Sequence, residues 1–335
     1  MLVYTNKEGI IKLTKLTIIL LVLLFLISLI SLFIGAYDVS IKGLIENGTH
    51  QLLVMLASRI PRLMAIICTG MGMSVAGLIM QNLCMNKFVS PSTGATISSA
   101  QLGIIIALVI FPSAGLITKT WMAFIVSSLG TLAFVWFIQR IKFKDIILVP
   151  LIGIMFNFVI GGVVNYIALE NDLTQILSNM LVGDFSLILA ERYEIVYLVL
   201  PLIIIAFIYS TYFNIVGLGE NFSKNLGVNY KFMLGLGLII SSLITASIVV
   251  VVGTISYVGL IIPNIISMYK GDKIKNNLID VALLGALYIL ICDIFGRIII
   301  RPYELPIGLI SGIIGSLLFI ILMFNRVKPP KVKKA

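Results

Sequence analysis

Long apolar runs recur along the whole chain and constrain its fold more than any other feature. A run of about 20 apolar residues can cross the hydrocarbon core of a bilayer as a helix. Of the 335 residues, 60% are hydrophobic and only 11% are charged, which leaves no room for a sizeable soluble domain. The expected spans are 16–35, 63–81, 92–111, 117–138, 146–169, 193–213, 232–252, 255–269, 278–297 and 305–325. The sequence therefore predicts an all-α polytopic membrane protein with ten transmembrane helices in one domain, residues 1–335, ending in a basic tail, residues 326–335.

The seventh and eighth spans come from a single apolar stretch, residues 232–269. This stretch is about twice as long as one span needs to be. A turn near Gly253-Thr254-Ile255-Ser256 is expected to divide it, and the second half is short and contains Pro263.

The basic residues indicate how the chain is oriented. With the N-terminus in the cytoplasm, 17 of the 24 lysines and arginines fall on the inner side, as cytoplasmic loops require. The outer side then holds Lys42, Arg59, Arg62, Lys119, Arg192, Arg297 and Arg301. We therefore expect both termini in the cytoplasm. Because the basic residues lie in short loops between spans, the net charge of +10 does not indicate nucleic-acid binding.

Groups that could carry out bond chemistry or couple transport to ions are scarce. The chain has one histidine, His50, and its three cysteines lack metal-ligand spacing, so no metal or other cofactor is expected. Asp293 lies one turn before Arg297, and a structural ion pair is a simpler reading of the two than a proton relay. No phosphate-binding glycine loop is present, so energy for uphill transport would come from another chain.

Small residues four apart occur on two spans. They include Gly70/Ser74 and Gly72/Ala76 on the second span, and Gly308/Gly312 on the last. Such spacing lets helix backbones approach closely inside a membrane. It fits packing within the chain and also a seam between two chains.

One inner loop, residues 214–231, has the features of a docking element. Gly219 and Gly227 bracket a predicted short helix, Glu220 suits its first turn, and Gly227 suits a left-handed C-terminal cap. Leu218, Phe222 and Leu226 form one apolar stripe. The spacing alone leaves open whether this stripe packs under the bundle or inserts into a partner.

Four stretches, in this order, resemble the membrane subunit of type II ABC importers, the FecCD or BtuC-like permease family. They are RIPRLMAIICTGMGMSVAGLIMQNLCMNKFVSPSTGATISSAQLG, GENFSKNLGV, GTISYVGLIIPNI and DIFGRIIIRPYELPIGLISGIIGSLLFI. Two departures are Ser223, where the family usually has alanine, and Asn264, where histidine is common. The segment around Pro91 is similar to the subgroup that serves catecholate-type siderophores such as petrobactin or anguibactin.

The resemblance implies a BtuC-like subunit in a bacterial cell membrane, embedded in lipid and paired with a second copy or a related chain. Two copies of an ATPase subunit would dock at the inner loop, and an extracellular or periplasmic siderophore-binding protein would deliver the cargo. Implied docking residues for that protein are Arg59, Arg62 and Arg297, with lipid phosphate contact as the other reading. The implied coupling loop comprises Leu218, Gly219, Glu220, Phe222, Leu226 and Gly227.

Candidates for the pathway and its gate are polar or turn residues of the second, third and fifth spans. They are Gln81, Asn82, Asn86, Pro91, Thr93, Ser98, Asn157 and Asn165, and hydrogen bonding between helices is an equal alternative for each. The implied function is import of an iron–siderophore complex without bond chemistry in this chain. Import of haem or vitamin B12, and an ion-coupled secondary transporter, are the alternatives.

Overall fold

The protein is a bundle of helices in a computed structural model that describes residues 14–35, 48–113, 115–141, 148–186, 188–190, 193–300 and 302–327. The α-helices are α1 (Lys15–Phe33), α2 (Gly48–Val54), α3 (Ile60–Leu83), α4 (Thr96–Ile110), α5 (Leu116–Arg140), α6 (Leu148–Glu170), α7 (Thr174–Leu181), α8 (Val199–Val216), α9 (Glu220–Asn225), α10 (Tyr230–Val251), α11 (Val258–Lys270), α12 (Ile274–Ile298) and α13 (Ile307–Val327). A π-helical turn, Met55–Arg59, joins α2 to α3, and a 3-10 turn, Glu194–Leu198, precedes α8.

Each expected apolar span overlaps with one of these helices. Within the described ranges, seven helices are long and apolar enough to cross a membrane, and α4, α11 and α13 are shorter apolar helices. The all-helical membrane fold is confirmed. The count of ten spans stays a prediction, because it depends on the three shorter helices. Lys42, Arg192, Arg301 and residues 328–335 of the basic tail lie outside the described residues.

The second helical segment is longer than the sequence indicates. It was expected to begin near residue 63, but helical structure starts at Gly48 and runs through the π-helical turn into α3. Pro61 lies just after that turn, in the first turn of α3. A proline has no N–H to donate, and the widened turn before it accommodates the missing hydrogen bond. Arg59 and Arg62 are therefore inside a continuous helical segment rather than at its start.

Helices α3 and α12 form the centre of the bundle, and glycines let them approach closely. A Cβ atom on Gly70 would lie 2.5 Å from Cα of Ala286, and one on Gly77 would overlap the carbonyl oxygen of Gly259 on α11. For α3, the small residues thus serve packing within the chain. Among the described residues, none would contact a Cβ atom on Gly312 of α13, so a seam between chains at this position stays a prediction.

The expected turn in the stretch 232–269 is confirmed. Helix α10 ends at Val251, Gly253 adopts a φ of +90°, and α11 begins at Val258. A φ in this region suits glycine, which has no Cβ to clash with the backbone. The turn is anchored by Thr254 N, which donates to Met180 O at 3.0 Å.

The predicted inner and outer loops collect at opposite ends of the bundle. At one end, Thr17 Oγ1 donates to Asp280 Oδ1 at 2.6 Å, and Lys87 pairs with Asp272 at 2.6 Å. At the other, Gly308 N donates to Gly183 O at 2.9 Å. We call these the inner and outer ends. Successive loops between the helices alternate between the two ends in the order that the basic residues indicate. The side of the membrane that each end faces stays a prediction.

Candidate functional sites at the two ends of the bundle

At the inner end, a short helix projects between α8 and α10. This helix, α9, is bracketed by Gly219 with a φ of +101° and Gly227 with a φ of +72°, as the sequence predicts. Glu220 pairs with Lys224 at 2.9 Å across one turn. The hydrogen bond and charge of Lys224 lower the pKa of the Glu220 carboxyl from its usual range. The ion pair therefore adds to the local order of a helix of fewer than two turns.

The apolar stripe formed by this helix and the residues that flank it is exposed and does not pack under the bundle. Leu218, Phe222 and Leu226 are 62%, 61% and 57% exposed, respectively. Ser223, on the opposite side, is fully buried, and its Oγ lies 2.8 Å from Gly219 O and 3.2 Å from Ile215 O at the end of α8. Ser223 thus attaches α9 to the end of α8, and the three large apolar side chains point outward.

At the outer end, arginines and carboxylates form an internal cluster. Arg62 Nη2 lies 2.7 Å from Asp293 Oδ1, and Arg62 Nη1 lies 2.5 Å from Glu304 Oε2. Arg297 pairs with Asp293 one turn away, so the expected structural ion pair is confirmed. Arg297 Nη1 also donates to Ser31 O at 3.0 Å. The cluster therefore ties α1, α3, α12 and the segment before α13 together.

The three arginines that the resemblance assigns to docking are turned largely inward. Arg59 and Arg297 are buried, and Arg59 Nη1 donates to Ile34 O at the end of α1. Arg62 is the most accessible of the three in its side chain, at 11%. Their assignment to docking stays a prediction, and the geometry adds a structural role that the sequence did not reveal. Glu304, which the sequence analysis did not single out, reaches the surface of this cluster.

The predicted gate residues lie where α3 passes into a buried loop, residues 84–95. Gln81 Nε2 donates to Gly259 O at 3.2 Å and to Leu260 O at 3.1 Å, which joins α3 to α11. Asn82 Oδ1 is buried against Gly217, just before α9, and has no hydrogen-bond partner among the described residues. The end of α3 thus touches the base of the projecting helix.

The loop itself is held by its own polar groups. Asn86 Oδ1 accepts from Phe88 N at 2.9 Å, and Thr93 Oγ1 accepts from Ser90 N at 2.9 Å. Pro91 is buried and its ring faces Gly259 of α11. Hydrogen bonds or packing contacts thus explain the positions of Gln81, Asn86, Pro91 and Thr93. The Oδ1 atom of Asn82 is the exception among these predicted gate residues. Their role in a pathway stays a prediction.

Two of the predicted pathway residues line an open cleft of about 290 Å³ between α4, α6 and the turn before α11. Ser98 Oγ donates to Asn157 Oδ1 at 2.7 Å, and Gln101 Nε2 donates to Thr254 Oγ1 at 3.0 Å. The lining combines hydroxyl and amide groups with apolar side chains, and none of the described residues that form it is ionisable. Asn165 is not among the lining residues. It is exposed, and its Nδ2 donates to Gly161 O one turn earlier.

A buried carboxylate at the inner end was missed by sequence reasoning. Asp280 lies near the start of the expected span 278–297, but α12 begins at Ile274 and encloses it. Asp280 accepts from Thr17 and pairs with Lys270, which also donates to Thr14 Oγ1 at 2.7 Å. The sequence feature that could have indicated this cluster is Lys270 at the end of α11, followed ten residues later by Asp280. Its partner on α1 is too distant in sequence to be found from spacing.

Comparisons with known proteins agree with this architecture. The sequence profile of the FecCD transport family matches residues 20–325. The petrobactin import system permease protein YclN of Bacillus subtilis (strain 168) is 46% identical over 295 residues, which cover 88% of this chain and 93% of the relative. The ferric-anguibactin transport system permease protein FatD of Vibrio anguillarum (strain ATCC 68554 / 775) is 36% identical, with 89% and 95% covered.

A solved structure shares the fold. It is described as an inward-facing conformation of a metal-chelate type ABC transporter, and it matches with a TM-score of 0.78 and 28% identity. The match covers 93% of this chain and 99% of the other. The resemblance first indicated by four sequence motifs is confirmed, and these relatives are permeases rather than enzymes. The chain belongs to the FecCD transport family.

Proposed function

We propose that this chain is the membrane-spanning permease of an ABC importer that carries a ferric siderophore of the catecholate type into a bacterial cell. Support for the cargo comes from the relatives named for petrobactin and anguibactin transport. Neither is named for haem or vitamin B12, so we favour a siderophore over these. The chain itself would perform no bond chemistry.

The observation that carries this proposal is the exposed stripe of Leu218, Phe222 and Leu226, which α9 and its flanking residues form. Three large apolar side chains on a polar loop are costly to leave in water, and they fit a groove on a partner. In an ABC importer that partner is the ATPase subunit, two copies of which serve two permeases. The proposed orientation places this end and both termini in the cytoplasm.

Few contacts separate α9 from the proposed gate, so movement of α9 can be transmitted to it. Ser223 fixes α9 to α8, and Asn82 at the end of α3 lies against Gly217 at its base. Beyond Asn82, the chain continues into the loop 84–95. Nucleotide-driven movement of α9 would therefore displace the loop that contains Asn86, Pro91 and Thr93. We propose that this loop closes the inner end of the pathway.

The cleft lined by Ser98 and Asn157 is the proposed wall of that pathway. A lining without ionisable groups offers hydrogen bonds to a bulky polar cargo without holding it tightly. The second half of the pathway would come from a second copy of this chain or a related permease, with lipid around both. A binding protein would deliver the cargo at the outer end, over the cluster of Arg59, Arg62 and Arg297.

Transport by the purified complex tests the proposal. Permease and ATPase are reconstituted in lipid vesicles with ATP inside, and ferric petrobactin, haem and vitamin B12 are offered outside with the delivering protein. We expect accumulation of radioactive iron from the ferric siderophore only with ATP and an active ATPase. Accumulation driven by an ion gradient without ATP, or a preference for haem or vitamin B12, would contradict the proposal.

A further inference from the structure

We propose that Glu304 is an internal competitor for docking: it occupies the part of Arg62 to which an acidic group of the delivering protein would bind. The inference rests on the proposed docking at the outer end and adds to it a residue that sets how tightly the delivering protein is held. It begins from the way in which Arg62 divides its hydrogen bonds.

Arg62 uses the two edges of its guanidinium group for two different carboxylates. Its Nε and Nη2 atoms lie 3.2 and 2.7 Å from Asp293 Oδ1. Its Nη1 atom lies 2.5 Å from Glu304 Oε2. Asp293 and Glu304 thus engage all three nitrogen atoms of the group, and the Arg62 side chain is only 11% exposed. An outside carboxylate that binds Arg62 would therefore compete with one of these two for space and for N–H donors.

Asp293 is poorly placed to be replaced. Its side chain is 2% exposed, it lies within helix α12, and it also pairs with Arg297. Removing this carboxylate would leave two buried arginines without their shared partner, which is strongly unfavourable. The edge of Arg62 that faces Asp293 is therefore closed to an outside group.

Glu304 is well placed to be replaced. Its side chain is 19% exposed, and it lies in the non-helical segment between α12 and α13. The next residue, Leu305, anchors that segment through its N–H, which donates to Gly296 O at 3.0 Å. Because the backbone is held independently, rotation of the Glu304 side chain alone would release Arg62. An incoming carboxylate would then replace it without unfolding the outer end.

Equilibrium titration of the delivering protein onto the complete transporter in lipid nanodiscs tests this inference. Glu304→Gln should lower the Kd about 1.5- to 5-fold at low salt, because an ion pair that must be broken before docking is gone. Glu304→Asp keeps the charge but shortens the side chain by one methylene group, and it should lower the Kd in the same direction. Asp172→Asn, which removes an exposed outer-end charge away from Arg62, should leave the Kd unchanged.

A double-variant cycle assigns the effect to Arg62. If Glu304 acts by competing for Arg62, Glu304→Gln should change the Kd little in an Arg62→Gln background. A Kd that is unchanged or higher in both Glu304 variants would overturn the inference while leaving docking intact, provided that Arg62→Gln weakens binding. If Arg62→Gln has no effect, both the proposed docking and this inference fail. Assembly of each variant with the ATPase subunit confirms that the permease is folded.

Discussion

Replacement of Phe222 by alanine is the perturbation that bears most directly on the exposed stripe of α9. Phe222 is 61% exposed, so more than half of its surface is available to a partner. Full burial of a phenylalanine side chain is worth about 1.5–3 kcal/mol. The exposed fraction then corresponds to about 1–2 kcal/mol, which is about a 5- to 30-fold rise in Kd for one docking site. The assay is titration of the ATPase subunit onto the purified permease, with uptake of ferric siderophore measured in parallel.

A matched variant separates docking from a general effect of losing an exposed ring. Phe25 on α1 is 64% exposed, but it lies in the middle of a span, far from α9 along the bundle. Phe25→Ala should leave the affinity for the ATPase unchanged. If Phe222→Ala also left it unchanged, or if both variants lowered it equally, the assignment of the stripe to ATPase docking would be wrong.

Three further predictions concern the core, the outer cluster and the cleft. Gly70→Ala should reduce the free energy of unfolding by about 1–3 kcal/mol, because its methyl group would meet the backbone at Ala286; Gly235→Ala, which faces open space, should not. Asp293→Asn should reduce the free energy of unfolding by about 3–5 kcal/mol, because two arginines lose their shared carboxylate. Detergent-titrated unfolding measures the effects of Gly70→Ala and Asp293→Asn. Unchanged stability in Gly70→Ala would refute the packing described, and unchanged stability in Asp293→Asn would refute the pairing. Asn157→Leu should slow siderophore uptake while ATPase assembly persists, and wild-type uptake would remove the cleft from the pathway.

Local rules allowed several elements to be predicted from the sequence. Apolar run length located the helices, and glycine at a position of positive φ located the turn at Gly253 and both ends of α9. These features depend on residues within a few positions of one another. The spacing of Asp293 and Arg297 is local in the same sense, which is why their ion pair could be predicted.

Features that depend on contacts between distant helices could not be predicted in this way. Arg62 meets Asp293 and Glu304, which lie 231 and 242 residues away. Without those partners, arginines near a predicted helix end looked like outward-facing groups. Likewise, the direction in which the α9 stripe faces is decided by Ser223, whose hydroxyl group is buried against the end of α8. A periodic pattern shows that a stripe exists but not what it faces.

The side of the membrane on which α9 lies is the most direct test of the account. A cysteine is placed at the exposed position Asn225, or at the exposed position Gln175 of α7, in a chain whose Cys68, Cys84 and Cys292 are buried. Intact cells are then treated with a membrane-impermeant thiol reagent. The account predicts that Gln175→Cys is labelled and that Asn225→Cys is labelled only after the membrane is opened. Labelling of Asn225→Cys in intact cells would contradict an importer driven from the cytoplasm through α9.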